Sequence, residues 1–345
     1  MNEKVLPIAV DAMGGDRAPS TNVEGAINAV KIDARSVILV GDEAILRKEV
    51  DRFGGTSLLG CGLDITHAPT RVQMDEKAAH AARTKKDSSM RIACELVKSG
   101  EAAAALSAGN SGAMMAIALL VHKRLRGVLR PCIATAFPAR YGPAILVDAG
   151  ANVDCSPQML LQFGVMGAIY MERAFEISQP ALGVIANGSE SSKGNELTRS
   201  ALALFEETDL NFVGHVEPRD LLISGRACVG VCDGFTGNIM LKTGESAFRL
   251  MGEMIRDSFE KNGALNKVAG FLSQKALSKV RKNLDPREYG AAPLLGLRKP
   301  AFIAHGSSDA YAIRQSIRAA HRFCAQDITG KLKAALESLP TQKER

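Results

Sequence analysis

Four short polar turns in this chain carry the residue types that hold an anion. In "SAGNSGA" (107–113), Ser107, Asn110 and Ser111 supply donors, while Gly109 and Gly112 leave the backbone bare. "CDGFTGN" (232–238) offers Thr236 and Asn238, and "IANGSESSKGNE" (185–196) sets Lys193 beside Gly194 and Asn195. "AHGSSDAYAIRQ" (304–315) places His305, Ser307 and Ser308 ahead of a helical pattern. Glycine-rich strand-to-helix turns present backbone N–H groups at a helix N-terminus, and that geometry binds phosphate or carboxylate. Taken singly, each is more often a plain turn or a helix cap. Four of them on one sheet edge make a shared anion site the better reading.

The familiar alternatives leave no trace. There is no GxGxxG after a first strand and no GxxxxGK[ST], so neither a dinucleotide nor a Walker-type nucleotide site is indicated. No HExxH occurs, and the six His (67, 80, 122, 215, 305 and 321) show no metal-ligand spacing. No metal and no cofactor is expected. No GxSxG elbow is present and no Cys is teamed with a His, so the chain offers no covalent acyl-enzyme nucleophile.

The elements that must position these turns alternate. "VLPIAVDAM", "SVILVGD", "LDITHA", "AAAALSA", "AILVDAG", "ALGVIANG" and "ACVGVCDG" read as short buried strands. Helical patterns lie between them: "TNVEGAINAVK" with Thr21 as N-cap, "EAILRKEVDRF", and "SSMRIACELVKSG" with Ser88 as cap and Gly100 as stop. Such alternation predicts an α/β fold with a largely parallel sheet, whose ligands gather outside the carboxyl ends of the strands. The predicted rim carries Asp11, Ser107, Asp148, Asn187 and Asp233. One α/β domain is expected over 1–335, followed by a polar tail at 336–345. Two long helical patterns meeting at "KNGALNK" predict a projecting helical hairpin over 236–283.

Bulk properties narrow the class further. The 345 residues suffice for a large core, and 46% hydrophobic with 23% charged residues is ordinary for a globular chain. With no Trp and four Tyr, stacking on nucleic-acid bases is not expected. The net charge of +6 is spread along the chain, which allows an acidic partner or an anionic membrane face. Seven Cys, an odd number without a CxxC pair, read as buried reduced thiols of a cytoplasmic protein. The longest wholly apolar run, 113–121, is far short of the about 20 residues of a membrane span.

As an ordered set, the motifs resemble those of the PlsX family, the bacterial acyl-ACP:phosphate acyltransferases. They are "AVDAMGGD" (9–16), "SAGNSGA" (107–113), "DAGAN" (148–152), "KGNE" (193–196), "DGFTGN" (233–238), "YGAAPLLG" (289–296) and "HGSS" (305–308). The resemblance runs from about residue 5 to about 330. It implies a Rossmann-like three-layer fold similar to phosphotransacetylase, and a homodimer. It also implies transfer of a long fatty acyl group from acyl carrier protein to inorganic phosphate. The acyl phosphate product would feed glycerol 3-phosphate acylation in phospholipid synthesis. Implied partners are the carrier, the membrane surface and the membrane glycerol-3-phosphate acyltransferase that uses acyl phosphate. Three positions depart from the family pattern: Ser111 replaces Thr, Ala291 replaces Gly, and "GSESS" keeps a single Glu.

This chemistry suits the residues. Phosphate is already anionic, and a thiol of pKa about 8.5 is a competent leaving group. Catalysis then needs positioning and oxyanion stabilisation, with no triad. On this reading Ser107, Gly109, Asn110 and Ser111 cradle phosphate with Ser307 and Ser308. Lys193 neutralises phosphate or the oxyanion, and Asn238 and His305 orient the thioester. Asp11 and Asp233 organise turns, since a carboxylate beside phosphate repels it. In the hairpin, Phe248, Met251, Ile255 and Phe259 form a stripe expected to pack in a core or dimer interface. Leu265, Val268, Phe271 and Leu272, flanked by Lys267, Lys275 and Lys279, suit contact with a membrane surface or with acidic acyl carrier protein. The rival activities are an acyl-CoA-dependent phosphate acyltransferase, an NAD-dependent metal dehydrogenase on a related fold, and a non-catalytic scaffold.

Overall fold

The computed structural model describes residues 6–260, 273, 275, 278, 280 and 284–338. Its strands are β1 (Ile8–Asp11), β2 (Val37–Gly41), β3 (Leu63–His67), β4 (Ala104–Ser107), β5 (Cys132–Ala139), β6 (Gly142–Val147), β7 (Leu182–Ile185), β8 (Phe212–Val216), β9 (Val229–Val231), β10 (Ala292–Leu295) and β11 (Ala301–Ile303). They form one sheet in the order β3-β2-β1-β4-β11-β10-β5-β6-β9-β7-β8. Strands β1, β2, β4, β7 and β9 are buried at every residue, as strands covered on both faces must be.

Pairing is parallel from β3 to β11 and again from β6 to β8. Between these halves, β10 pairs antiparallel with both β11 and β5, and β5 pairs antiparallel with β6. Three reversals leave the two parallel halves with opposite polarity. A twist of about 20–25° per strand pair then turns one half relative to the other. The predicted single carboxyl edge is thus replaced by two. The strand-turn-helix repeat does not contain β5, β8, β10 or β11, and β5 carries Pro138.

The helices are α1 (Ser20–Asp33), α2 (Glu43–Arg52), α3 (Ala78–Thr84), α4 (Ser89–Ser99), α5 (Ser111–His122), α6 (Pro157–Phe175), α7 (Glu196–Glu206), α8 (Gly234–Glu260), α9 (Ala310–Ala325) and α10 (Ile328–Ser338). One helical layer joins the main core through Val23, Leu46, Phe163, Phe205, Ile313 and Leu332. Full burial of each such side chain contributes about 1.5–3 kcal/mol. The second layer is α3, α4 and α5, packed through Ala81, Met90 and Ile117. Over β6, β7, β8 and β9 the second face carries only a small cluster, including Leu146, Ile185, Val216 and Leu221, with Met240 of α8 against it. That thinly covered face is where α8 stands.

Local signals explain most helix ends. Ser88 caps α4 by accepting from Arg91 N at 3.4 Å, and Gly100 ends it in the left-handed region. Thr21 is not a cap: α1 begins at Ser20 after Pro19 and takes Thr21 into its first turn. Helix α8 starts at Gly234, two residues before the predicted hairpin boundary. Helix α10 runs to Ser338 with Leu336 buried in the core, so the chain remains helical into the predicted tail. The seven Cys are all unpaired, but Cys61 is exposed and only Cys94, Cys132 and Cys232 are fully buried. Among the described residues, no helix is long and apolar enough to cross a membrane.

Candidate active site

Turns from both halves of the sheet line one cavity of about 2390 Å³. Small-molecule pockets hold roughly 300–1,000 Å³. Gly109, Asn110 and Ser111 enter after β4, and His305, Ser307 and Ser308 after β11. The other half contributes Gly150 after β6, Asn187, Gly194 and Asn195 after β7, and Thr236 and Asn238 after β9. The predicted apolar stripe of α8 also lines the cavity, through Phe248, Met251, Ile255 and Phe259. It forms a wall of this space and not a closed core: Phe248 and Met251 remain exposed.

The turn after β4 spends most of its polar groups on the protein. Ser107 is buried and absent from the cavity lining; its hydroxyl donates to Asp11 Oδ2 at 2.7 Å and accepts from Gly109 N at 3.0 Å. This corrects its reading as a cradle donor: the hydroxyl faces a carboxylate in the sheet. Asp11 Oδ1 also accepts from Ser89 Oγ at 2.6 Å and from Met13 N at 3.2 Å. Burial raises the Asp11 carboxyl above its ordinary pKa, against the opposing pull of the Ser89 and Ser107 hydroxyls. Asn110 reaches the cavity, but its Oδ1 caps α5 by accepting from Ala113 N at 2.9 Å. Its Nδ2 donates to the carbonyls of Met74 at 3.0 Å and Glu76 at 2.9 Å. Ser111, the first residue of α5, is exposed, and its hydroxyl has no protein partner among the described residues.

The turn after β11 is arranged the other way. His305 and Ser307 are exposed to the cavity. His305 Nδ1 lies 2.8 Å from Ser307 Oγ, and Nε2 lies 3.2 Å from Lys242 Nζ. Lys242 Nζ also donates to Glu245 Oε2 at 2.8 Å. The turn itself is held from outside. Arg17 donates to the Ser307 carbonyl at 2.7 Å, and Asp16 N donates to the Gly306 carbonyl at 2.9 Å. Gly15 makes that approach possible: at φ +111°, a Cβ there would lie 3.2 Å from the Gly306 carbonyl oxygen. Lys242 lines the cavity and was not among the predicted site residues. The signal for it is its spacing of four from Asn238, which puts both on one helix face.

In the other half, two carboxylates build the turns. Asp148, fully buried, accepts from the N–H groups of Ile133, Gly150, Ala151 and Asn152 and from Asn152 Nδ2. Burial raises its pKa, while these bonds pull the other way. Asp233 accepts from Thr236 N at 2.8 Å and Thr236 Oγ1 at 2.9 Å, holding the first turn of α8. Gly237 seats α8 on the Asp148 turn, since a Cβ there would lie 1.9 Å from the Asp148 carbonyl oxygen. Asn238 thereby reaches the cavity beside Gly150, its amide without a protein partner among the described residues. Asn187 Oδ1 accepts from Gly194 N at 2.8 Å, and Asn195 caps α7 by accepting from Thr198 N at 2.9 Å. Lys193 is exposed and does not line the cavity, although Gly194 and Asn195 beside it do.

The structure therefore brings Gly109, Asn110, Ser111, Asn238, His305, Ser307 and Ser308 to one space, and leaves Ser107 behind it and Lys193 outside it. Of the hairpin residues, Lys275 is helical and exposed. Leu265, Lys267, Val268, Phe271, Leu272 and Lys279 lie outside the described residues.

Comparisons with known proteins show the family and the fold. The family model described as "fatty acid synthesis protein" matches residues 6–331. A phosphate acyltransferase of Citrifermentans bemidjiense is 44% identical over 336 residues, covering 97% of this chain and 94% of the relative. One from an Anaeromyxobacter species is 46% identical over 317 residues, covering 92% and 87%. Among solved structures, a phosphotransacetylase from Streptococcus pyogenes superposes with a TM-score of 0.61 at 16% identity, covering 94% of this chain and 95% of that one. At that identity the likeness concerns the fold.

Proposed function

The chain belongs to the fatty acid synthesis protein family and is an acyltransferase, and from that premise we propose the reaction it carries out. A long-chain fatty acyl group passes from acyl carrier protein to inorganic phosphate. A phosphate oxygen attacks the thioester carbonyl, the new C–O bond forms, and the C–S bond breaks. The carrier thiol leaves with the proton that phosphate gives up. The product is an acyl phosphate, the donor for glycerol 3-phosphate acylation in phospholipid synthesis.

One observation carries the reading: a single cavity of about 2390 Å³ is lined by small hydroxyl and amide turns and by the apolar side chains of α8. Phosphate needs the first kind of wall and a long acyl chain needs the second. Gly109 and Ser111 with the N-terminus of α5, together with Ser307 and Ser308, form the phosphate end. Asn110 shapes that end through its cap and its hold on residues 74–76. Asn238 is placed to donate to the thioester carbonyl as it gains charge, where one such donor contributes about 2.7–4 kcal/mol, and His305 orders the Ser307 turn beside it. No general base of high strength and no metal is required by this assignment.

Lys193, at the rim, attracts the anionic substrates during encounter. Its removal is expected to lower kcat/KM at low ionic strength, with the deficit shrinking as salt is added, because exposed charges are screened over about 10 Å at 0.1 M. A deficit independent of salt instead assigns Lys193 a direct contact. Helix α8 exposes Leu250 and Met254, which suits burial against a second copy of the chain. The basic, apolar segment 265–279 is assigned to the membrane surface, where the glycerol-3-phosphate acyltransferase that consumes the product resides.

The test is direct. Purified protein is given palmitoyl-acyl carrier protein or palmitoyl-CoA with and without inorganic phosphate, and acyl phosphate is trapped as its hydroxamate. Phosphate-dependent hydroxamate from the carrier thioester is expected. Product from the CoA thioester alone moves the donor to CoA, and no phosphate-dependent product removes the reading.

A further inference from the structure

Helix α8 delivers a cation to the phosphate end of the cavity. Lys242 lies one turn beyond Asn238 on the same face, and Glu245 follows three residues later. We propose that Lys242 binds the acceptor phosphate directly, beside the Ser307 turn. This inference rests on the phosphate acyltransferase reading above and names the cation of that site.

Hydrogen-bond accounting supports it. An ammonium group has three N–H donors and no lone pair. Lys242 Nζ donates one to Glu245 Oε2 at 2.8 Å and at most one to His305 Nε2 at 3.2 Å, which leaves a third. The two faces of the His305 ring pull opposite ways: Nε2 faces the Lys242 ammonium at 3.2 Å, while Nδ1 accepts from the Ser307 backbone N–H at 3.2 Å and lies 2.8 Å from Ser307 Oγ. Whichever ring nitrogen carries the proton, at least one N–H of Lys242 stays free beside the Ser307 turn.

The other cations of the cavity fit less well. Arg287 is tied to Asp285 and Asp309 on its guanidinium edges. Arg249 and Arg256 stand on α8 about 10 Å and 21 Å further along its axis than Lys242. The Lys242–Glu245 pair is half-exposed and separated by three residues on one helix, a kind of ion pair worth only about 0.3–0.5 kcal/mol. A phosphate dianion therefore competes for the ammonium at little cost.

The experiment compares steady-state kinetics against inorganic phosphate for the full-length wild type, Lys242→Ala, Lys242→Arg and the distant control Lys98→Ala. Melting temperatures confirm that each variant is folded. A charge-assisted hydrogen bond of about 1.5–3 kcal/mol corresponds to a rise of roughly 10–100-fold in phosphate KM for Lys242→Ala. At saturating phosphate, kcat should change much less. Lys242→Arg should recover most of the loss, and Lys98→Ala should behave as wild type. A phosphate KM within about twofold of wild type in Lys242→Ala, or an equal rise in Lys242→Arg, overturns the assignment. If the wild type itself forms no acyl phosphate, it is the acyltransferase reading that fails.

Discussion

The turn after β4 and the turn after β11 have the same kind of sequence and are held in opposite ways. Both follow buried strands that are paired in parallel and in register, Ser107 beside Ile303. In the first, Ser107 bonds to Asp11 and Gly109, and Asn110 bonds to its own helix and to residues 74–76. In the second, Ser307 and His305 remain exposed to the cavity, and the fixing is done from behind by Arg17 and Asp16. The side chains of a polar turn are thus either spent as braces or left open to the cavity, and burial decides which. The same division runs through the other half of the sheet, where Asp148 braces and Asn238 faces outward.

The largest effect is expected from cutting a brace. Asp148→Ala removes the buried carboxylate that accepts from four part-buried backbone N–H groups and from Asn152 Nδ2, and each such group left unsatisfied away from water costs about 1–3 kcal/mol. A loss above about 4 kcal/mol, or failure to accumulate folded protein, is expected in urea unfolding. A melting curve close to wild type would show that water reaches these groups and that the turn is no brace.

A smaller effect concerns pH. The folded-state pKa of Asp11 is raised above the ordinary carboxylate value of 3.8, chiefly by burial. The folded chain therefore holds the Asp11 proton more tightly than the unfolded chain. Its contribution to stability is fully present below pH 3.8 and is lost as pH rises through the folded pKa. Asp11→Asn has no proton to lose there. Wild type should gain on Asp11→Asn as the pH of unfolding measurements is lowered from 7 to 4. A stability difference that stays constant over that range removes Asp11 as the titrating brace.

Much of this was legible in the sequence, but not evenly. The buried strands, the Ser88 cap, the Gly100 stop and the polar turns at the strand ends follow from local residue types. The pairing of Ser107 with Asp11 does not, because it joins residues 96 apart through a shared register. The reversal of polarity was hidden because it is set by which strands pair across the middle of the sheet, and Pro138 disguises β5. Lys242 was not read from the sequence, although its i, i+4 spacing from Asn238 puts it on the same helix face. Its value emerges only when His305, 63 residues away, is brought to 3.2 Å.

The distinction between brace and binding surface is tested most directly by phosphate KM and melting temperature in Ser107→Ala and Ser307→Ala, measured side by side. Ser307→Ala should raise phosphate KM about tenfold or more with an unchanged melting temperature, and Ser107→Ala should lower the melting temperature with phosphate KM unchanged. A raised phosphate KM in Ser107→Ala beside a wild-type value in Ser307→Ala would contradict the account.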